Sequence, residues 1–134
     1  GAVAGAVKIE GSTILATDKG ASTETPNDLV AVMGGEPAEL YKKGIEAMGG
    51  MKRFVKKGQK VVVKPNIGWD KTPEYAANTN PVLVSEIVKD CLAAGASEVV
   101  VFDHTCDEWE GCYKNSGIAE AAEKAGAKVA FAHD

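Results

Sequence analysis

Val61-Val62-Val63-Lys64-Pro65-Asn66 is the stretch on which the fold turns. Three consecutive β-branched residues without polar alternation read as a strand covered on both faces, because a strand with one wet face alternates. Pro65 ends the strand, since proline has no amide to give to a sheet ladder. A covered strand needs parallel neighbours with helices over them, and the flanking sequence carries both patterns.

On the N-terminal side, Leu29-Val30-Ala31-Val32-Met33 is a second apolar run, stopped by Gly34-Gly35, and reads as another strand buried on both faces. Pro37 suits the first turn of a helix, and Tyr41, Ile45 and Met48 follow at helical spacing before Gly49-Gly50. Met51 to Lys57 reads as a short helical piece that stops at Gly58.

On the C-terminal side, a long loop leads to Asn80-Pro81, an N-cap followed by proline at the first helical position. Leu83 or Val84, Ile87 or Val88, and Cys91 form the apolar stripe, which Ala93-Ala94-Gly95 closes. Glu98 to Asp103 reads as a third strand. A further loop reaches the capping pair Asn115-Ser116, an alanine-rich helix runs to Gly126, and Lys128 to Phe131 is a last strand. This alternation predicts an α/β fold: an open parallel sheet of about four strands with right-handed crossover helices, Rossmann-like in plan.

Residues 29–134 carry that pattern. Residues 17–28 are polar and rich in turn formers, and read as a linker. For residues 1–28 as a whole two readings stay open: a flexible arm, or the remnant of an export signal, given the small apolar run Gly1 to Val7 and Ile14-Leu15-Ala16. No helix follows the fourth strand, so the domain is expected to be the N-terminal part of a longer one.

The 134 residues are 45% hydrophobic and 25% charged, as expected of one globular core and not of a disordered chain. The apolar N-terminal run is too short to cross a bilayer. A net charge of -4, with no interleaving of aromatic and basic residues, argues against a nucleic-acid partner. The basic cluster Lys52, Arg53, Lys56, Lys57 and Lys60 lies where a helix ends, and cations there complement the helix dipole.

In an open parallel sheet, ligands sit outside the carboxyl ends of the strands. Gly34-Gly35-Glu36-Pro37 lacks the glycine signatures of a phosphate cradle and reads as a tight turn. Lys64 ends an apolar strand, so packing can hold its stem while its ammonium meets an anion or, if desolvated, acts as base or nucleophile. Asn66 offers a donor and an acceptor, and Thr79 closes the same loop. Position alone serves a solvated charge and a turn residue equally well. In Asp103-His104-Thr105, Asp103 suits a loop organiser first and an orienting carboxylate second. His104 is an acid/base candidate if it lies in the cleft.

Cys91 falls on a helix stripe and reads as a small buried hydrophobe. Cys106 and Cys112 lie five residues apart in a spacing that suits neither zinc nor an iron–sulfur cluster, and three cysteines cannot supply four thiolates. In an exported protein they would form a disulfide, the preferred reading; in a cytosolic one they would be free thiols.

Gly49 to Asn66, Asn78-Thr79-Asn80-Pro81, and Ala94-Gly95-Ala96 ahead of the Val99–Asp103 strand together resemble the opening of the domain of unknown function family 362, over about residues 29–134. Members are α/β proteins, some exported by a twin-arginine signal and some fused to a ferredoxin-type iron–sulfur domain. The resemblance implies Lys64, Pro65, Asn66, Thr79, Pro81 and Asp103 as motif residues. It places any cluster-binding cysteines in a later segment, so no metal or iron–sulfur cluster is expected in this chain alone.

Three functional readings follow. The first is a binding or catalytic domain for a small anionic ligand at the C-terminal edge of the sheet. The second is an accessory redox module that docks a ferredoxin-like iron–sulfur domain or partner. The third is a non-catalytic interaction domain anchored by Trp69, Tyr75, Trp109 and Tyr113. Cofactor and reaction type stay open. An exported, periplasmic location is expected, with the cytoplasm as the alternative.

Overall fold

The computed structural model describes residues 27–132 and, ahead of them, the strands at residues 6–9 and 12–15. Most of the segment read as an arm or export remnant, and most of the linker at residues 17–28, lies outside the described residues. Its two strands, β1 (Ala6–Ile9) and β2 (Ser12–Leu15), pair antiparallel with each other. β2 in turn pairs antiparallel with β3 (Ala31–Met33), Ile14 opposite Val32.

This corrects the expected sheet of about four strands. β3 does not join the parallel sheet; it pairs with β2 in a separate antiparallel sheet. Nor is the run covered on both faces: Leu29 and Met33 are 80% and 55% exposed, while Val30 and Val32 turn toward helix α1 (Pro37–Ala47). A short apolar run states that a segment is extended; it does not say which strand it pairs with.

The parallel sheet has three strands in the order β4 (Lys60–Val63), β5 (Glu98–Val101) and β6 (Lys128–Val129). Val61 lies opposite Val99 and Val101 opposite Val129. Helix α2 (Pro81–Ala94) connects β4 to β5, while α3 (Trp109–Asn115) and α4 (Ile118–Ala125) connect β5 to β6. The core joins Val99 and Val101 of the sheet to Val84, Val88 and Cys91 of α2 and to Ile118 and Ala122 of α4. The valine run of β4 alternates after all: Val61 and Val63 pack against this core, whereas Val62 is 60% exposed. Among the described residues, one face of the sheet is therefore covered and the other is left open at Val62. Identical β-branched residues conceal that difference in the sequence.

The open face is polar at its amino end, where Glu98 of the central strand takes Lys60 at 3.3 Å on one side and Lys128 on the other.

Helix α2 begins and ends as its sequence dictates. Asn80 Oδ1 accepts from the Val82 amide at 2.9 Å. Gly95 caps the C-terminus at φ 110°, where a side chain would also press on the Lys57 backbone. Of the basic cluster, Arg53 caps a helix end: its Nη1 donates to the carbonyl of Met48, the C-cap of α1, at 3.0 Å, whereas Lys60 stands on β4 and pairs with Glu98. Met51–Arg53 forms only one 3-10 turn, shorter than the helical piece expected there. Among the described residues, no helix is long and apolar enough to cross a membrane.

Candidate functional site

Parallel pairing brings the ends of β4 and β5 level, with Val63 opposite Val101. The two chains leave the sheet side by side, and Lys64 meets Asp103: their ammonium and carboxylate form an ion pair. The pair is asymmetric, because the Asp103 side chain is 6% exposed and that of Lys64 61%. Asp103 is fixed from three directions. Its Oδ2 accepts from the Ile67 amide at 2.8 Å. Its own amide donates to Tyr113 Oη at 2.8 Å, and the Tyr113 hydroxyl lies 2.9 Å from the Asp103 carbonyl and 3.1 Å from that of Ala130.

Burial alone would push the Asp103 carboxyl up, but the hydrogen bond from Lys64, the Ile67 amide and the Lys64 charge outweigh it and hold it below the usual aspartate value. It is a carboxylate at neutral pH. Burial pushes the Tyr113 phenol up, so its proton stays available for donation.

Asn66 and Thr79 close the long loop on itself. The Asn66 amide donates to Thr79 Oγ1 and the Thr79 amide to the Asn66 carbonyl, both at 2.9 Å. Asn66 Oδ1 accepts from the Gly68 amide at 2.9 Å, and Nδ2 donates to the Ala77 carbonyl at 3.2 Å. Their polar atoms hold the loop. Of the other candidate positions, Thr105 is buried and His104 is exposed at the surface.

The two loops are stitched together at Gly68, whose carbonyl accepts from the amides of Cys106 and Asp107 at 2.9 and 3.1 Å and lies 3.6 Å from Cys112 Sγ. Asp70 extends the seam: its amide donates to Asp107 Oδ2 at 3.0 Å, and its Oδ1 accepts from Asn115 Nδ2 at 2.6 Å.

Cys106 and Cys112 are separate thiols, so the expected disulfide is not formed. Cys112 faces inward from α3 and is fully buried, while Cys106 is exposed in the preceding bend. Burial also pushes the Cys112 thiol up, away from the reactive thiolate. Cys91 is buried on α2 among the core residues. Among the described residues, no group of three or more His, Cys, Asp and Glu side chains stands close enough to hold a metal ion.

Sequence reasoning missed α3 and, with it, the place of Tyr113. The signal was present: Trp109, Cys112, Tyr113 and Ser116 recur at i, i+3, i+4 and i+7, the spacing of one helix face. The aromatic residues then divide. Trp109 and Tyr113 pack on Phe131 with ring centroids 4.4 and 4.8 Å away, whereas Trp69 and Tyr75 are exposed.

These features define an α/β protein whose half-open parallel sheet carries a Lys–Asp ion pair at its carboxyl edge. The sequence profile of the domain of unknown function DUF362 matches residues 61–134. That span is more than half of the 134 residues, and the chain belongs to this family. No match is found among curated proteins or among solved structures.

Proposed function

We propose that the carboxyl edge of the parallel sheet binds a small anionic ligand through the Lys64 ammonium. The observation that supports this reading is the asymmetry of the ion pair: a buried, tethered carboxylate aims an ammonium that is itself 61% exposed at the strand ends where α/β sheets take ligands. Asp103 fixes the direction of Lys64, and the protons of Lys64 that face solvent are left for a ligand oxygen.

The surroundings restrict the ligand's charge. A shallow depression on the loop that follows Asp103 is lined by Thr105, Cys106, Asp107, Glu108 and Trp109. Its carboxylates repel a polyanion, so a compact ligand with one negative group, such as a carboxylate, fits better than a nucleotide or a nucleic acid. Acetate and inorganic phosphate are suitable probes. Titration followed by amide NMR is expected to move the Lys64, Ile67 and Thr105 resonances with acetate, more weakly with phosphate, and not at all in Lys64→Gln. Equal shifts in the variant and the wild type would remove the proposal. No specific observation favours docking to an iron–sulfur partner, and two of the four aromatic anchors of an interaction domain are taken up by Phe131.

A further inference from the structure

We propose that Tyr113 is the positioning residue of this site, its hydroxyl fixing the backbone from which Asp103 aims Lys64; this deepens, and rests on, the reading of that edge as a ligand site. Tyr113 is 3% exposed and stands on α3, an element that supplies no other group to the pair. Its Oη takes the Asp103 amide at 2.8 Å and sits 2.9 Å from the carbonyl of the same residue. One hydroxyl thus binds both backbone groups of the residue that carries the carboxylate. Its contact with the Ala130 carbonyl at 3.1 Å ties that point to the segment leaving β6. A tyrosine needed for packing alone would be served by its ring, which Phe131 meets edge-on at 4.8 Å.

Without the hydroxyl, the Asp103 amide loses its acceptor and the residue is free to shift. The carboxylate then drifts from the Ile67 amide and from Lys64, the two groups that hold its proton affinity down. The charged and titratable groups around the phenol are Asp103 from the end of β5, Lys64 from the end of β4 and Cys112 from α3 itself.

The test compares Tyr113→Phe, which keeps the ring, with Phe131→Leu, which loosens the ring cluster but keeps the hydroxyl. In Tyr113→Phe the titration midpoint of the Asp103 carboxyl, followed by carbon NMR, is expected to rise, and acetate binding to weaken about fivefold, the worth of one neutral hydrogen bond. In Phe131→Leu the midpoint is expected to stay in place. An unmoved midpoint in Tyr113→Phe, or equal movement in both variants, overturns the inference. Labelling with 3-fluorotyrosine covers the case in which Tyr113→Phe does not fold. It keeps the hydroxyl but makes its oxygen a poorer acceptor of the Asp103 amide, so that amide proton must change its resonance, and an unchanged one overturns the inference. Failure of the wild type to bind acetate would remove the ligand reading, yet the Asp103 midpoint would still decide the role of Tyr113.

Discussion

Replacing Asp103 separates what holds this edge together from what it presents to solvent. Asp103→Ala removes the acceptor of the Ile67 amide, and Ile67 is 0% exposed, so that donor is stranded. A hydrogen bond to a charged group contributes about 1.5–3 kcal/mol. The ion pair adds little, since the Lys64 side chain is 61% exposed and exposed pairs are worth about 0–1 kcal/mol. Asp103→Ala should therefore cost about 2–4 kcal/mol. Asp103→Asn keeps an acceptor and should cost about 1–2 kcal/mol, and Lys64→Ala below about 1 kcal/mol. For a domain of this size each kcal/mol lowers the thermal midpoint by roughly 3–4 °C, which calorimetry resolves. The pH dependence has a definite sign. The folded carboxyl titrates below the usual aspartate value, so its stabilisation is complete at neutral pH and is lost as pH falls through the depressed value. The gap between wild type and Asp103→Asn should hold down to about pH 4, near the unfolded aspartate value, and close below it. If Asp103→Ala were no less stable than Lys64→Ala, the tether to Ile67 would not be what fixes the pair.

Other consequences are as direct. A Cβ at Gly111 would stand 2.4 Å from Asp70 Oδ2, so Gly111→Ala should destabilise despite the roughly 1 kcal/mol that alanine gains over glycine in a helix. In an Asp70→Ala background the same change should stabilise, and a double-mutant cycle in urea reads the reversal. Only one thiol, Cys106, should react with a disulfide reagent in the native protein, since Cys91 and Cys112 are buried; all three should react once it is unfolded. Asn80→Ala removes the cap of α2 and should cost about 1 kcal/mol in denaturant melts, whereas Asn80→Ser should be nearly neutral.

Local chemistry made β4, α2 and β5 legible. Pro65 stops the first, Asn80-Pro81 and Gly95 bracket the second, and a valine run marks the third. The place of β3 was not legible, because the choice between two sheets depends on β2, whose residues carry no clear alternation of their own. The second covered face was inferred from Val61-Val62-Val63, and three alike residues cannot report that the middle one faces outward. At the site, the rule for parallel sheets brought Lys64 and Asp103 to one edge, but their pairing needed the register, which sets Val63 against Val101. Asn66 and Thr79 show the opposite limit. Their types suit a ligand as well as a turn, and only their bonds to Gly68, Ala77 and each other show that the loop uses them.

The ion pair also constrains how a ligand can be held. An anion that drew Lys64 away from Asp103 would leave a buried carboxylate with the Ile67 amide but without its cation, and desolvation would oppose that state. A ligand must therefore share the ammonium with Asp103. Sharing limits the affinity that Lys64 can supply alone, while it sharpens direction, since the ammonium stays where Asp103 puts it. The two loops support the same outcome from below: Gly68 is bonded to Cys106 and Asp107, and Asp70 to Asp107 and Asn115, so the floor of the edge does not have to be ordered when a ligand arrives. On the proposed reading, an edge built this way would select by position and by single charge, and a modest affinity would suit an exchangeable small molecule better than a permanently held group.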